Sequence, residues 1–192
     1  MKVFQIGFNK CGTKSLYTFF KQNGHRSIHN NKSIEEYTLK SNHAKGKLLC
    51  DGADGIILWS DIRYVQRNFS ILANQYPDSK FIFNVRNFDD WLQSKQRQTN
   101  RPFAKYDKYN REYIDKYDIK ILFKEYWKAY WIIHTTDIEE YFVGVQSKRL
   151  LVFDIEKDTG EKIADFLPEL KFHNLKFPHR NIGSSKRTKQ II

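Results

Sequence analysis

The chain has 192 residues, 33 Lys and Arg against 22 Asp and Glu, and 40 % hydrophobic residues spread along its length. That is enough for one domain with a full core, and it argues against a disordered chain. The net charge of +11 asks for a polyanionic partner: nucleic acid, an anionic membrane, a phosphorylated cofactor or an acidic glycan.

No run approaches the roughly 18 unbroken apolar residues that span a membrane. The N-terminus enters directly into VFQIGF, without the pattern of a signal peptide. Cys11 and Cys50 show neither metal nor redox spacing. The expectation is a soluble, intracellular, cytoplasmic protein with reduced cysteines and no zinc site.

KVFQIGF, a short apolar run ending at Gly7, predicts a buried parallel strand. TKSLYTFFKQNG predicts a helix: Leu16, Phe19 and Phe20 fall at i, i+3 and i+4, and Asn23-Gly24 supplies the stop. KLLCD (47–51) reads as a second strand, residues 61–75 as helix up to the Tyr76-Pro77-Asp78 turn, and KFIFNVR (80–86) as the clearest strand. FDDWLQSKQRQ reads as a helix with Asp89 and Asp90 in its first turn, where the dipole favours acids. The Tyr- and Lys-rich stretch 101–118 suits either a substrate-facing lid or a solvated connector. A long aromatic helix over about 118–142 follows, then the strand RLLVFDI (149–155), the short helix GEKIADFL and a basic tail at about 182–192. Alternating strands and helices predict a single α/β domain, 1–192, with a central parallel sheet flanked by helices in three layers. Ligands of such folds bind at the carboxyl ends of the strands.

GFNKCGTKS (7–15) lies between the first strand and its helix. Gly7 and Gly12 let the backbone curl close to an anion, and the amides of residues 12–15 open a helix whose dipole favours phosphate. Thr13 and Ser15 add hydroxyls, Lys10 and Lys14 positive charge. A nucleoside-triphosphatase loop, G-x-x-x-x-G-K-[ST], puts lysine directly after the second glycine; here Thr13 stands there and Lys10 precedes it. The bland reading is a tight strand-to-helix turn with exposed lysines. In FNVRNFDDWLQS, Arg86 ends a strand, where its guanidinium can fork onto a phosphate, and Ser94 follows eight residues later. The competing reading of Arg86 is a surface pair with Asp89 or Asp90.

Together the two motifs resemble those of the PAPS-dependent sulfotransferases, small single-domain subgroup, PAPS being 3′-phosphoadenosine 5′-phosphosulfate. Asn9-Lys10-Cys11-Gly12-Thr13-Lys14-Ser15 is similar to that family's phosphosulfate loop, and Arg86 with Ser94 to its 3′-phosphate motif. YPDSKFIFNVRN (76–87), Leu150–Ile155 and Phe177–Asn181 extend the resemblance from residue 2 to about 181. Two departures are Asn9 in place of the usual proline and Lys14 in place of threonine or asparagine.

The resemblance implies a P-loop-like fold and sulfuryl transfer from PAPS to a hydroxyl or amine by metal-independent in-line displacement, with PAP as product. Lys10 would stabilise the leaving oxygen. Lys10, Cys11, Gly12, Thr13, Lys14 and Ser15 would hold the 5′-phosphosulfate, Arg86 and Ser94 the 3′-phosphate, and Lys186 and Arg187 would close over the nucleotide. The general base is sought among Asp61, Asp54, Asp51, His25 and His29, with Asp61 preferred; any of these can instead be a helix cap or a surface charge. His134 and His179 read as structural. The expected acceptor is a small molecule, a glycan or a lipid, with nucleic acid unlikely. The rival readings are a P-loop kinase or nucleotide hydrolase, a basic nucleic-acid-binding module, and a sulfotransferase-like domain without activity.

Overall fold

The structure, a computed structural model, describes residues 1–103 and 119–178. The stretch 104–118 and the tail carrying His179, Lys186 and Arg187 lie outside the described residues. By its internal contacts the chain divides into two compact units, Met1–Val85 with Lys148–Ile192, and Arg86–Ser147.

The first unit carries a sheet of five strands, all parallel: β1 (Val3–Gln5), β2 (Ser27–His29), β3 (Leu58–Ser60), β4 (Lys80–Val85) and β5 (Leu150–Asp154), in the order β2-β3-β1-β4-β5. The helices are α1 (Thr13–Gln22), then α2 (Lys32–Ile34) running through a π-helical turn at Glu35–Lys40 into α3 (Ser41–Ala44), then α4 (Arg63–Arg67) and α5 (Phe69–Gln75). The expected α/β sheet with flanking helices is therefore present. From β1 the chain moves outward to β2, returns through β3, and crosses to β4 on the other side. Strand order thus reverses at β1, the position where open α/β sheets bind ligands.

A parallel sheet needs both faces covered, and alternation along each strand provides for it. Val3, Leu58, Ile82, Leu151 and Phe153 turn to one face. There they pack with Leu16, Phe19 and Phe20 of α1 and Ile163 of the helix Gly160–Phe166. Their strand neighbours Phe4, Trp59 and Phe81 turn to the other face, where the Phe4 ring lies 6.2 Å from Trp59, 6.0 Å from Tyr76 and 5.5 Å from Phe81. In the second unit, α6 (Phe88–Phe103) packs on α7 (Ile119–Tyr141) through indoles, with Trp91 and Trp131 ring centres 4.6 Å apart. No helix among the described residues is long and apolar enough to cross a membrane.

Most predicted elements are found, and two are corrected. Residues 47–51 form no strand; 47–48 are irregular and 49–51 lie in a turn, and the second and third strands are the three-residue pieces β2 and β3. Leu49 and Cys50 are buried, which is why the run reads as a strand, but side chains satisfy their amides. Leu49 N donates to Gln75 Oε1 at 2.8 Å, and Cys50 N to the Tyr76 hydroxyl at 2.8 Å. The predicted 61–75 helix breaks at Asn68 into α4 and α5.

Arg149, just before β5, ties the α5 end to the sheet. Its guanidinium donates to the carbonyls of Ala73, Tyr76 and Ser79 at 2.8–3.1 Å and to Ser79 Oγ at 2.9 Å, and it stands 5.4 Å from the Phe81 ring centre. Arg149→Ala would remove these four hydrogen bonds at once and is expected to lower stability by about 2–3 kcal/mol in urea unfolding. Arg149→Lys is expected to recover less than half, because an ammonium lacks the planar fork.

Candidate active site

Among the described residues, three non-glycine residues have left-handed backbone: Lys10 (φ 70°), Asn30 (φ 48°) and Asp61 (φ 54°). Each follows closely on the carboxyl end of β1, β2 or β3. Such conformations cost about 1–3 kcal/mol each, and they gather where a fold holds a site against its own preference. All three belong to the first unit, at one edge of one sheet.

The loop between β1 and α1 is shaped by buried polar side chains. Gln5 and Asn84 interrupt the apolar strands β1 and β4, and both are fully buried. Gln5 Nε2 donates to Gly7 O and to Asn84 Oδ1, Asn84 Nδ2 donates to Cys11 O, and Gln66 Nε2 donates to Gly7 O at 2.9 Å. Ser60 Oγ donates to Thr13 O at 3.2 Å. Three loop carbonyls, the groups that would repel an anion, are therefore tied back into the protein. At the mouth of α1, Gly12 takes φ 73° and supplies no side-chain cap. A side chain there would be strained by that φ, and its Cβ would fall 2.9 Å from Ile155 Cγ2. With no side-chain cap from Gly12, the first turn presents a helix N-terminus, whose dipole favours an anion.

Thr13 and Ser15 are buried in this first turn, while Lys14 is exposed with its ammonium 4.9 Å from the Tyr17 ring centre. Thr13 Oγ1 lies 3.2 Å from His29 Nε2, and that nitrogen lies 3.6 Å from Asp61 Oδ2. Asp61 is itself positioned by its amide, which donates to Gln5 Oε1 at 2.8 Å. Burial, then the nearby Lys14 charge, lowers the His29 pKa to about 4, so the ring is neutral at physiological pH.

A family profile described as "Sulfotransferase domain" matches residues 2–185. The chain belongs to the sulfotransferase domain family. A search of curated protein sequences found no match. The crystal structure of a sulfotransferase from Alicyclobacillus acidocaldarius aligns over 97 % of this chain and 88 % of that one, with a TM-score of 0.60 and 16 % identity. At that identity the likeness speaks for the fold.

Within this sulfotransferase domain the sequence-predicted site residues fall into three groups. Lys10, Cys11, Gly12, Thr13, Lys14, Ser15 and Asp61 come together at the carboxyl edge of the first unit, with His29 between Thr13 and Asp61. The other base candidates are elsewhere. His25 precedes β2 and its Nε2 lies 3.0 Å from Lys171 O. Asp54 accepts from Arg26 through its carbonyl, and Asp51 pairs with Lys47 at 3.8 Å; all three sit before their strands, at the amino edge. Arg86 and Ser94 belong to the second unit, where Arg86, Asp90 and Ser94 are spaced four apart and Arg86 Nη2 lies 3.9 Å from Asp90 Oδ2. His134 is buried on α7 and stacks on Tyr130 at 5.9 Å, as expected of a core histidine.

Sequence reading missed Gln5, Asn84, Gln66 and Ser60, which shape the loop without entering it. The signal was available for the first two. A glutamine or asparagine inside an apolar strand must find buried hydrogen bonds.

Proposed function

We propose that this protein transfers a sulfuryl group from PAPS to an acceptor hydroxyl or amine. The observation that carries the reading is the loop: its carbonyls are tied back by Gln5, Asn84, Gln66 and Ser60, its helix mouth is uncapped, and Lys10 is set within it. This donor set suits a phosphosulfate. It offers hydroxyls, ammonium groups and first-turn amides, and no carboxylate lies in the loop sequence 7–15.

Bound there, PAPS would supply the activated sulfuryl group. Thr13, Lys14 and Ser15 would hold the 5′-phosphate, and Lys10 would meet the negative charge that builds on its bridging oxygen as the sulfur–oxygen bond breaks. Asp61 would take the proton that the acceptor loses as its oxygen or nitrogen bonds to sulfur. On the motif alone, Arg86 and Ser94 would take the 3′-phosphate, which separates PAPS from ATP, and Lys186 and Arg187 would cover the nucleotide. The acceptor would be a small molecule, a glycan or a lipid.

Calorimetric titration with adenosine 3′,5′-bisphosphate, and separately with magnesium-ATP, tests the reading. Binding of the bisphosphate without added metal is expected, weakened about 10–100-fold in Arg86→Ala, the range for losing charge-assisted hydrogen bonds. Binding of magnesium-ATP in place of the bisphosphate would overturn it in favour of a kinase.

A further inference from the structure

His29 ends β2 with its side chain 14 % exposed, and its Nε2 faces two oxygens of different character: the Thr13 hydroxyl at 3.2 Å and the Asp61 carboxylate at 3.6 Å. A carboxylate can only accept, whereas a hydroxyl can donate or accept. Both partners meet the same nitrogen. That excludes the arrangement of a Ser-His-Asp triad, in which the orienting carboxylate binds the opposite nitrogen.

The two neutral tautomers therefore differ in consequence. With the proton on Nδ1, the Nε2 lone pair would face the carboxylate, and the Thr13 hydrogen would be used on the ring. With the proton on Nε2, the N–H lies between two acceptors, and the Thr13 hydrogen points elsewhere. The Asp61 carboxylate, which can only accept, is set beside Nε2 of this largely buried ring, where a proton on that nitrogen is favoured. The carboxylate decides the tautomer.

We infer that Asp61 holds His29 as its Nε2–H tautomer, and that His29, by donating to Thr13 Oγ1, turns the Thr13 hydroxyl into a donor for the anion in the loop. His29 is thus a positioning residue: it acts on the bound phosphate through Thr13, where the sequence offered it only as one of several bases. The inference rests on the reading of the loop as a phosphosulfate site. It also explains why Asp61 is kept in left-handed backbone, since that turn, pinned by Gln5, brings its carboxylate to His29.

Two measurements test it. In protein labelled with ¹⁵N-histidine, the His29 ring is expected to show a protonated Nε2 and a bare Nδ1 at neutral pH, and Asp61→Leu to shift it toward the opposite tautomer. Binding of adenosine 3′,5′-bisphosphate and of inorganic pyrophosphate is then compared across a double-mutant cycle. Thr13→Val and His29→Leu are each expected to weaken binding about five- to tenfold. The double variant should be no weaker than Thr13→Val, because the histidine acts through that hydroxyl. His29→Gln, whose amide N–H can replace Nε2–H, should stay within about twofold of the parent. Losses that multiply in the double variant, or a proton found on Nδ1, would overturn the coupling. If the parent binds pyrophosphate with this pattern but not the bisphosphate, the PAPS reading fails and the role of His29 stands. Should the His29 variants not fold, the tautomer in the parent protein decides.

Discussion

Gly7→Ala is expected to cost about 3 kcal/mol or more of stability, to lower the melting temperature by about 6–12 °C, and to abolish bisphosphate binding. A Cβ on Gly7 would be driven into Asn84: its nearest atoms are the Asn84 carbonyl and side-chain oxygens, with the Asn84 amide nitrogen at 2.8 Å. Two of those three atoms are backbone of β4, which is paired on both sides and cannot yield as a flexible side chain would. The same Asn84 holds Cys11 O and accepts from Gln5, so displacing it would release the loop as well as strain the sheet. Adding Asn84→Ala to Gly7→Ala should rescue nothing, because the backbone clash remains and the Cys11 tie is lost. Differential scanning calorimetry of Gly7→Ala and the double variant checks this. A double variant more stable than Gly7→Ala alone would show that only the side chain was in the way.

The sequence made the frame of this site readable where local pattern and tertiary role agree. β1 and β4 are apolar runs that end at a glycine and an arginine, and α1 shows the spacing of Leu16, Phe19 and Phe20, all buried against the sheet. The strand–glycine–helix context therefore placed a loop between β1 and α1, where the structure has one. β2 and β3 were not readable, because three residues are too few to show a period, and SIH even remains half-buried. The apolar KLLCD attracted the strand assignment instead. Its amides are satisfied by Gln75 and Tyr76, both 26 residues away, which no local window can reveal. Missing β2 hid the meaning of His29. As one of several unplaced histidines and acids it looked like an alternative to Asp61, whereas at the end of a parallel strand it stands between Asp61 and the loop.

On the proposed mechanism, substitution of Lys10 should separate catalysis from folding. Its φ of 70° is a conformation that glycine adopts at no steric cost and lysine does not. The chain keeps a lysine where glycine would fit the backbone better, so the side chain supplies something the turn does not need. On the proposed mechanism that is a positive charge at the leaving oxygen. Removing a group of this kind typically costs about 10²–10³ in rate. Lys10→Gly is therefore expected to leave the melting temperature unchanged or slightly raised. Transfer of the sulfuryl group to water, followed as release of adenosine 3′,5′-bisphosphate from PAPS, should fall by about that factor. Water serves as acceptor in this assay, so it requires no knowledge of the natural one. Lys10→Ala should lose the same rate without any gain in stability, since alanine keeps the left-handed strain that glycine relieves. Affinity for the bisphosphate should change far less than the rate in both variants, because the amides and hydroxyls of residues 12–15 remain to hold the ground state. A Lys10→Gly protein that is fully active would refute the catalytic role and reduce Lys10 to a surface charge on a strained turn. One that binds the bisphosphate normally but turns over hundreds of times more slowly would identify the Lys10 side chain as a condition of catalysis, its left-handed backbone kept at the expense of stability.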